Sequence, residues 1–293
     1  MPWQPSADIN QLKQRARVIS QIRAFFSARD LLEVDTPIMS HYGVSDPHID
    51  TIPVAFTQDG AFQCQPMHLM SSPEYAMKRL LAAGSGSIYQ IAKAFRNGEV
   101  GCRHNPEFTL LEWYRLDFDL QQLMQEVACL IDTVLIGEVL EWHFWSYRQA
   151  FEEVLYIDPL TASDDAIRSK ALDLIDIQME ASTPRDTWLD LLMSHCIEPQ
   201  LPKACFVFDY PASQSALAQT GMDDLGNNVA RRFEVYINGI ELANGYQELT
   251  DAQEQERRFA LDHATRAFMG KIPMAVDIRL IQALQAGLPE CSG

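Results

Sequence analysis

The sequence predicts an α+β fold, an antiparallel sheet flanked by helices, and three observations carry that expectation. Strand-length apolar runs come in hairpin pairs, above all RRFEVYINGIELANGYQEL, where Asn238-Gly239 is a type I′ turn signal. Helical periodicity lies around these pairs and does not alternate with single strands, which argues against a βαβ wind. The chain has 293 residues, 47% of them hydrophobic and 22% charged, the make-up of a globular protein with a sizeable core.

Taken in order, residues 10–31 place Leu12, Ala16, Ile19, Ile22 and Phe26 at helical spacing, an amphipathic helix. It feeds a short strand at Glu33-Val34-Asp35 that stops at Pro37. Ser72-Pro73-Glu74 opens the next helix: serine caps, proline suits the first helical position and glutamate favours the positive dipole end. Gly84 ends that helix. Glu74 reads equally as a helix-end charge or as a site residue. Two strands follow, 87–95 and 108–114, with Gly98, Gly101 and Asn105-Pro106 supplying turn chemistry between them. Paired antiparallel, they put Arg96 on one sheet face with Glu112 or Tyr114.

Asp119 begins another helix, and 140–200 reads as further helices, so 119–200 is a helical insertion in a single domain spanning 1–293. Residues 205–214 form a buried strand ended by Pro211, the 231–249 hairpin follows, and Thr250 with Gln253 makes a capping box for the last clear helix.

Composition narrows the partners. Forty acidic residues against 23 basic give a net charge of −17, a poor start for holding tRNA or DNA over a large surface. A small anion in a local basic pocket is still open to it. No apolar run reaches transmembrane length, and the N-terminus lacks the basic and apolar regions of a secretory signal. The six cysteines are scattered without a C-x-x-C pair, which points to reduced thiols in a cytoplasm and away from a zinc site. Cys102 is either a reactive thiol or an ordinary loop cysteine.

The chemistry concentrates in two places. FRNGEVGCRHNPEF, residues 95–108, gathers Arg96, Glu99, Arg103, His104 and Glu107 around two glycines. Arg96 is suited to clamp phosphate, since its planar fork binds phosphate oxygens bidentately. In the last hairpin, Glu241 and Glu248 bracket LANGYQ, a segment with its own Asn-Gly. The two carboxylates either share a divalent cation such as Mg²⁺ that also holds substrate phosphates, or are one solvated and one structural acid. Neither a G-x-x-x-x-G-K-[ST] loop nor a G-x-G-x-x-G after a strand is present, and there is no G-x-S-x-G elbow.

Together, FFSARDLLEVDTPIMS, SSPEYAMKRLLAAG, FRNGEVGCRHNPEFTLLEWY and IELANGYQELTDAQEQERRF resemble the catalytic domain of class II aminoacyl-tRNA synthetases of the lysyl type. The first is similar to motif 1, which builds a homodimer interface, and the third to motif 2, which holds ATP. The closer resemblance is to the short lysyl-synthetase paralogues, the elongation factor P–(R)-β-lysine ligases. It implies ATP-dependent formation of a β-lysyl adenylate and transfer to a lysine of elongation factor P, without tRNA. Carried over by position, it implies substrate contacts at Ser72, Pro73, Glu74, Tyr114 and Glu248. ATP contacts fall at Arg96, Asn97, Gly98, Asn105, Glu241 and Leu242, with Mg²⁺ at Glu241. Arg96 would stabilise the α-phosphate. The chain departs from the family's Arg-x-Glu at Gly98, with its glutamate one residue later at Glu99. The sequence opens at the motif 1 helix, so no anticodon-reading OB-fold is expected before it. It stops at LPECSG, before the family's motif 3, an ATP-holding segment. Two other readings are a lysyl-tRNA synthetase catalytic fragment and a non-catalytic synthetase-like binding protein.

Overall fold

A computed structural model describes residues 3–57, 64–135, 137, 139–180, 182–272 and 274–293. The chain divides into two compact units, Met1–Asp117 with Leu249–Cys291 and Gly293, and Phe118–Glu248 with Ser292.

The first unit opens with α1 (Ile9–Ser27), whose N-terminus is closed by a capping box. The Asp8 carboxylate accepts from Gln11 N at 2.7 Å, and Asp8 N donates to Gln11 Oε1 at 2.8 Å. One end of the helix is anchored by Phe26, fully buried and stacked on Tyr89 with ring centroids 4.7 Å apart. Strands β1 (Leu32–Glu33), β2 (Met39–Ser40), β3 (Pro53–Thr57) and β4 (Cys64–Leu69) follow, then α2 (Glu74–Ala82), β5 (Ile88–Phe95) and β6 (Glu107–Leu116). β5 and β6 pair antiparallel from Ile88↔Tyr114 to Phe95↔Glu107, and β1 adds to β5 in parallel. Strands β2, β4 and β3 form a second, smaller sheet of the same unit, in the order β2-β4-β3. Gly84 takes φ +86° past the end of α2, a conformation that suits glycine.

The second unit begins with α3 (Leu120–Val134), capped by Asp119 and Gln122 as α1 is by Asp8 and Gln11. The expected all-helical stretch is broken at once by strand β7 (Trp142–Ser146), whose aromatic residues suit a pleated surface. Helices α4 (Tyr147–Leu155), α5 (Asp164–Leu174) and α6 (Arg185–Leu192) then enclose a core of Tyr147, Phe151, Ile167, Trp188 and Leu192. Strands β8 (Ala204–Pro211), β9 (Thr220–Met222), β10 (Asn228–Ile237) and β11 (Ile240–Tyr246) complete a sheet ordered β11-β10-β8-β7, with β9 on β10. β7 runs parallel to β8 and the other pairs are antiparallel. The turn between β10 and β11 has Asn238 at φ +52° and Gly239 at φ +68°, as a type I′ turn requires.

The chain returns to the first unit with α7 (Ala252–Phe268) and α8 (Ile278–Gly287), and β12 (Cys291–Ser292) stands next to β6. The cap of α7 is Asp251 and not the expected Thr250: its carboxylate accepts from Gln253 N at 2.8 Å and Glu254 N at 3.2 Å. A carboxylate next to the positive helix end outcompetes the neighbouring hydroxyl. Buried Arg266 on α7 holds the 46–50 segment, donating to Asp46 O at 2.8 Å, Ile49 O at 3.0 Å and Asp50 Oδ1 at 2.8 Å.

Candidate active site

In the first unit the antiparallel register of β5 and β6 sets one face of the floor. Ile88, Gln90 and Ala94 lie opposite Tyr114, Glu112 and Phe108, and the ladder continues as Arg96 N donates to Pro106 O at 2.9 Å. Arg96 thus shares a face with Glu112 and Tyr114. On that face Glu112 is held from two sides, by Ser72 Oγ on Oε2 at 2.7 Å and by Tyr114 OH on Oε1 at 2.9 Å. Ser72 Oγ in turn accepts from Glu74 N at 3.0 Å, and Glu74 pairs with Lys78, one turn on and fully buried, at 2.7 Å. Burial, aided by the Glu74 charge, pushes the Glu112 carboxyl up to about 7. Strand alternation alone puts Glu112 on a sheet face; the structure makes it the hub of this polar set.

The loop between β5 and β6 is tied by Gly101 N to His104 O at 3.0 Å. Arg96, Gly98, Glu99, Val100 and His104 line a cleft of about 400 Å³. The Arg96 guanidinium lies 5.1 Å from the Phe108 ring centre and 3.8 Å from Glu99, a loose and partly screened ion pair. Its Nε is buried and unpartnered among the described residues, a donor left for an acceptor oxygen. Asn97 and Asn105 are exposed on the same loop. Gly98 takes φ +83°, where a glutamate would be strained.

In the second unit Glu241 and Glu248 stand at the two ends of the LANGYQ stretch. The six residues between them run in extended chain, roughly 20 Å at the usual strand rise. Glu241 lies exposed opposite Tyr236, whereas Glu248 is fully buried and bridges to Ala218, its carbonyl taking Gln219 Nε2 at 3.0 Å. The carboxylate that does approach Glu241's face is Glu234. A register shift lets Val235 pair with Ala243 but Tyr236 with Glu241, so Leu242 is the extra, bulged residue and is 53% exposed. The bulge turns Glu241 onto the face of Asn244, Glu234 and Tyr236. Glu234 takes hydrogen bonds from Tyr210 OH at 2.7 Å, from Tyr236 OH and from Arg232. The Arg232 guanidinium also donates to Gln214 O at 3.0 Å and stacks 4.3 Å from the Tyr210 ring centre. Glu198 joins this acidic neighbourhood, its carboxyl raised by burial and then by Glu234. Glu234 was readable only as one acid among apolar neighbours in RRFEVYI, and the sequence reading passed it by.

Each unit thus carries polar side chains on an antiparallel floor: an arginine at the mouth of the β5–β6 loop in the first, and a carboxylate-rich β10–β11 hairpin in the second. The chain matches the class II tRNA synthetases (D, K and N) over residues 5–293 and belongs to that family. Within it, the chain is 50% identical to the elongation factor P–(R)-β-lysine ligase of Vibrio atlanticus over 295 residues, 99% of this chain and 90% of the relative. The namesake proteins of Vibrio vulnificus and Proteus mirabilis are 51% and 50% identical, over 99% of this chain and 90% and 89% of theirs.

Proposed function

We propose that this chain is an ATP-dependent, AMP-forming ligase that activates (R)-β-lysine, or lysine, and transfers it to a lysine of elongation factor P. The observation that carries the reading is the similarity to the β-lysine ligases, about half of all positions across nearly the whole chain. The buried carboxyl of Glu112 supports the substrate class. Glu74 already has its counter-ion in Lys78, so a second ammonium group must be met by ionising Glu112. Ser72 and Tyr114 hold that carboxylate in place, Pro73 fixes the turn into α2, and Glu248 is a further buried acid for the substrate.

In the first step a carboxylate oxygen of the amino acid attacks the α-phosphorus of ATP, and the bond to the bridging oxygen breaks to release pyrophosphate. The protein need not supply a nucleophile; it aligns reactants and neutralises charge. Arg96 takes the α-phosphate oxygens with Asn97, Gly98 and Asn105 of its loop, and the resemblance assigns Glu241 and Leu242 to ATP as well. In the second step the neutral amine of the acceptor lysine attacks the acyl carbon, AMP leaves, and the amine's proton passes to solvent. Glu241 is an exposed hard oxygen donor that would hold Mg²⁺ jointly with substrate phosphates, where the ion would offset phosphate charge.

Motif 1 and the exposed apolar side chains of Ile9, Leu12, Leu32, Ile38 and Met39 support a homodimer. The net charge of −17 argues for a protein acceptor over tRNA, and no helix among the described residues is long and apolar enough to cross a membrane. We place the protein in the cytoplasm, as one catalytic domain built of two compact units, with 119–200 helical except for β7. The test is pyrophosphate exchange with (R)-β-lysine and with lysine, followed by the mass of elongation factor P. A β-lysyl mass increment on that protein, with none on tRNA, is the expected result. Charging of lysine tRNA with no modification of elongation factor P would replace this reading by that of a synthetase fragment.

A further inference from the structure

Apart from the set around Glu112, the first unit holds a second cavity, of about 300 Å³, within the range of small-ligand pockets. Its walls come from the 37–44 segment, from β4 and the start of α2, and from the start of α8. Glu74, Arg96, Glu112 and Tyr114 do not line it; of the residues assigned above, Ser72 and Pro73 reach its wall.

Three polar groups in this wall lack partners among the described residues. Ser71 is 1% exposed, and its Oγ makes no hydrogen bond. Buried hydroxyls are seldom left so. Arg79, half-buried, and Arg279, exposed, also line the cavity, and neither side chain has an ion pair or hydrogen bond among the described residues. Two unpaired cations beside one cavity stand out in a chain of net charge −17. Asp277, the acid in the wall, is occupied in capping α8, accepting from Arg279 N at 2.9 Å and Leu280 N at 3.3 Å. The wall also holds Ser40, His41, Thr51 and Ser72, and its apolar part includes Met39, Met70 and Tyr75.

We propose that this cavity binds a small organic carboxylate, its head on Arg79, Arg279 and the Ser71 hydroxyl and its apolar body against Met39, Met70 and Tyr75. The donors set the charge of the ligand, and the methionine and tyrosine wall sets its hydrocarbon part, which inorganic phosphate lacks.

The test uses the full chain with ¹³C-labelled methionine methyl groups, titrated separately with hexanoate, hexylammonium and inorganic phosphate. Hexanoate should shift the methyl signals of Met39 and Met70 saturably, and the other two probes should not. Double replacement Arg79→Gln with Arg279→Gln should weaken hexanoate by tenfold or more, because two charge-assisted contacts are lost. Ser71→Ala should weaken it less. The methyl spectrum of each variant without probe certifies its fold. Silence toward hexanoate, an equal response to hexylammonium or phosphate, or unchanged affinity in the double variant would overturn the proposal.

Discussion

Replacing Glu112 by Gln isolates the electrostatic cost on which the substrate site is built. The amide keeps an acceptor for Ser72 or Tyr114 and removes the charge. In the folded chain the Glu112 carboxyl sits at about 7 against an ordinary value of 4.5, and the main cause is burial. A difference of that size corresponds to about 3 kcal/mol between protonation states. The folded pKa is the raised one, so this stability is fully present below pH 4.5 and is lost as pH rises through 7. The stability of wild type relative to Glu112→Gln should therefore fall by about 3 kcal/mol from pH 4.5 to above pH 7, measured by urea unfolding at stepped pH. Comparing the two proteins cancels other titrations, among them Glu254, held down at about 2 by hydrogen bonds from Arg257.

The same group gives binding a proton signature. Because burial raises the Glu112 carboxyl toward neutrality, part of it carries a proton near pH 7, and a bound ammonium drives it off. Calorimetry of (R)-β-lysine binding near pH 7 in buffers of different ionisation enthalpy should then report net proton release, absent in Glu112→Gln. Parallel stability profiles for the two proteins, or equal proton release, would refute the assignment of Glu112 as the substrate's counter-charge.

Arg96→Ala should lower pyrophosphate exchange by roughly 10²–10³-fold, as loss of a transition-state donor does, while the melting temperature stays put; unchanged exchange removes Arg96 from the phosphate. Gly98→Glu restores the family's residue type at a position of φ +83°, so thermal unfolding should show a loss of about 1 kcal/mol with no gain in ATP affinity by calorimetry. Asp251→Ala should cost about 1 kcal/mol through the cap of α7 and Thr250→Ala close to nothing, again by unfolding; the reverse order would put the cap back at Thr250.

What the sequence revealed, and what it hid, divides by the range of the interaction. Helix starts at Asp119 and the Gly84 stop are local signals, fixed by residues within one turn, and they were legible. Ser72, Glu74, Arg96 and Tyr114 were legible for another reason, being embedded in long runs that resemble one family. Glu112 and Glu234 were not, because their significance lies in partners 40 residues away for Ser72 and 24 for Tyr210. The two Asn-Gly pairs of the last hairpin show the limit most sharply. Asn238-Gly239 has both residues at positive φ and makes the turn. Asn244-Gly245, the same dipeptide six positions on, stays inside β11, paired with Glu234 and Phe233. Its glycine answers to crowding: a Cβ there would lie 2.4 Å from the Phe233 ring. Read as a second loop, LANGYQ would have folded Glu241 and Glu248 toward each other. Read as a strand pressed against Phe233, it holds them apart, and a bulge at Leu242, a matter of register between two strands, decides which carboxylate Glu241 faces.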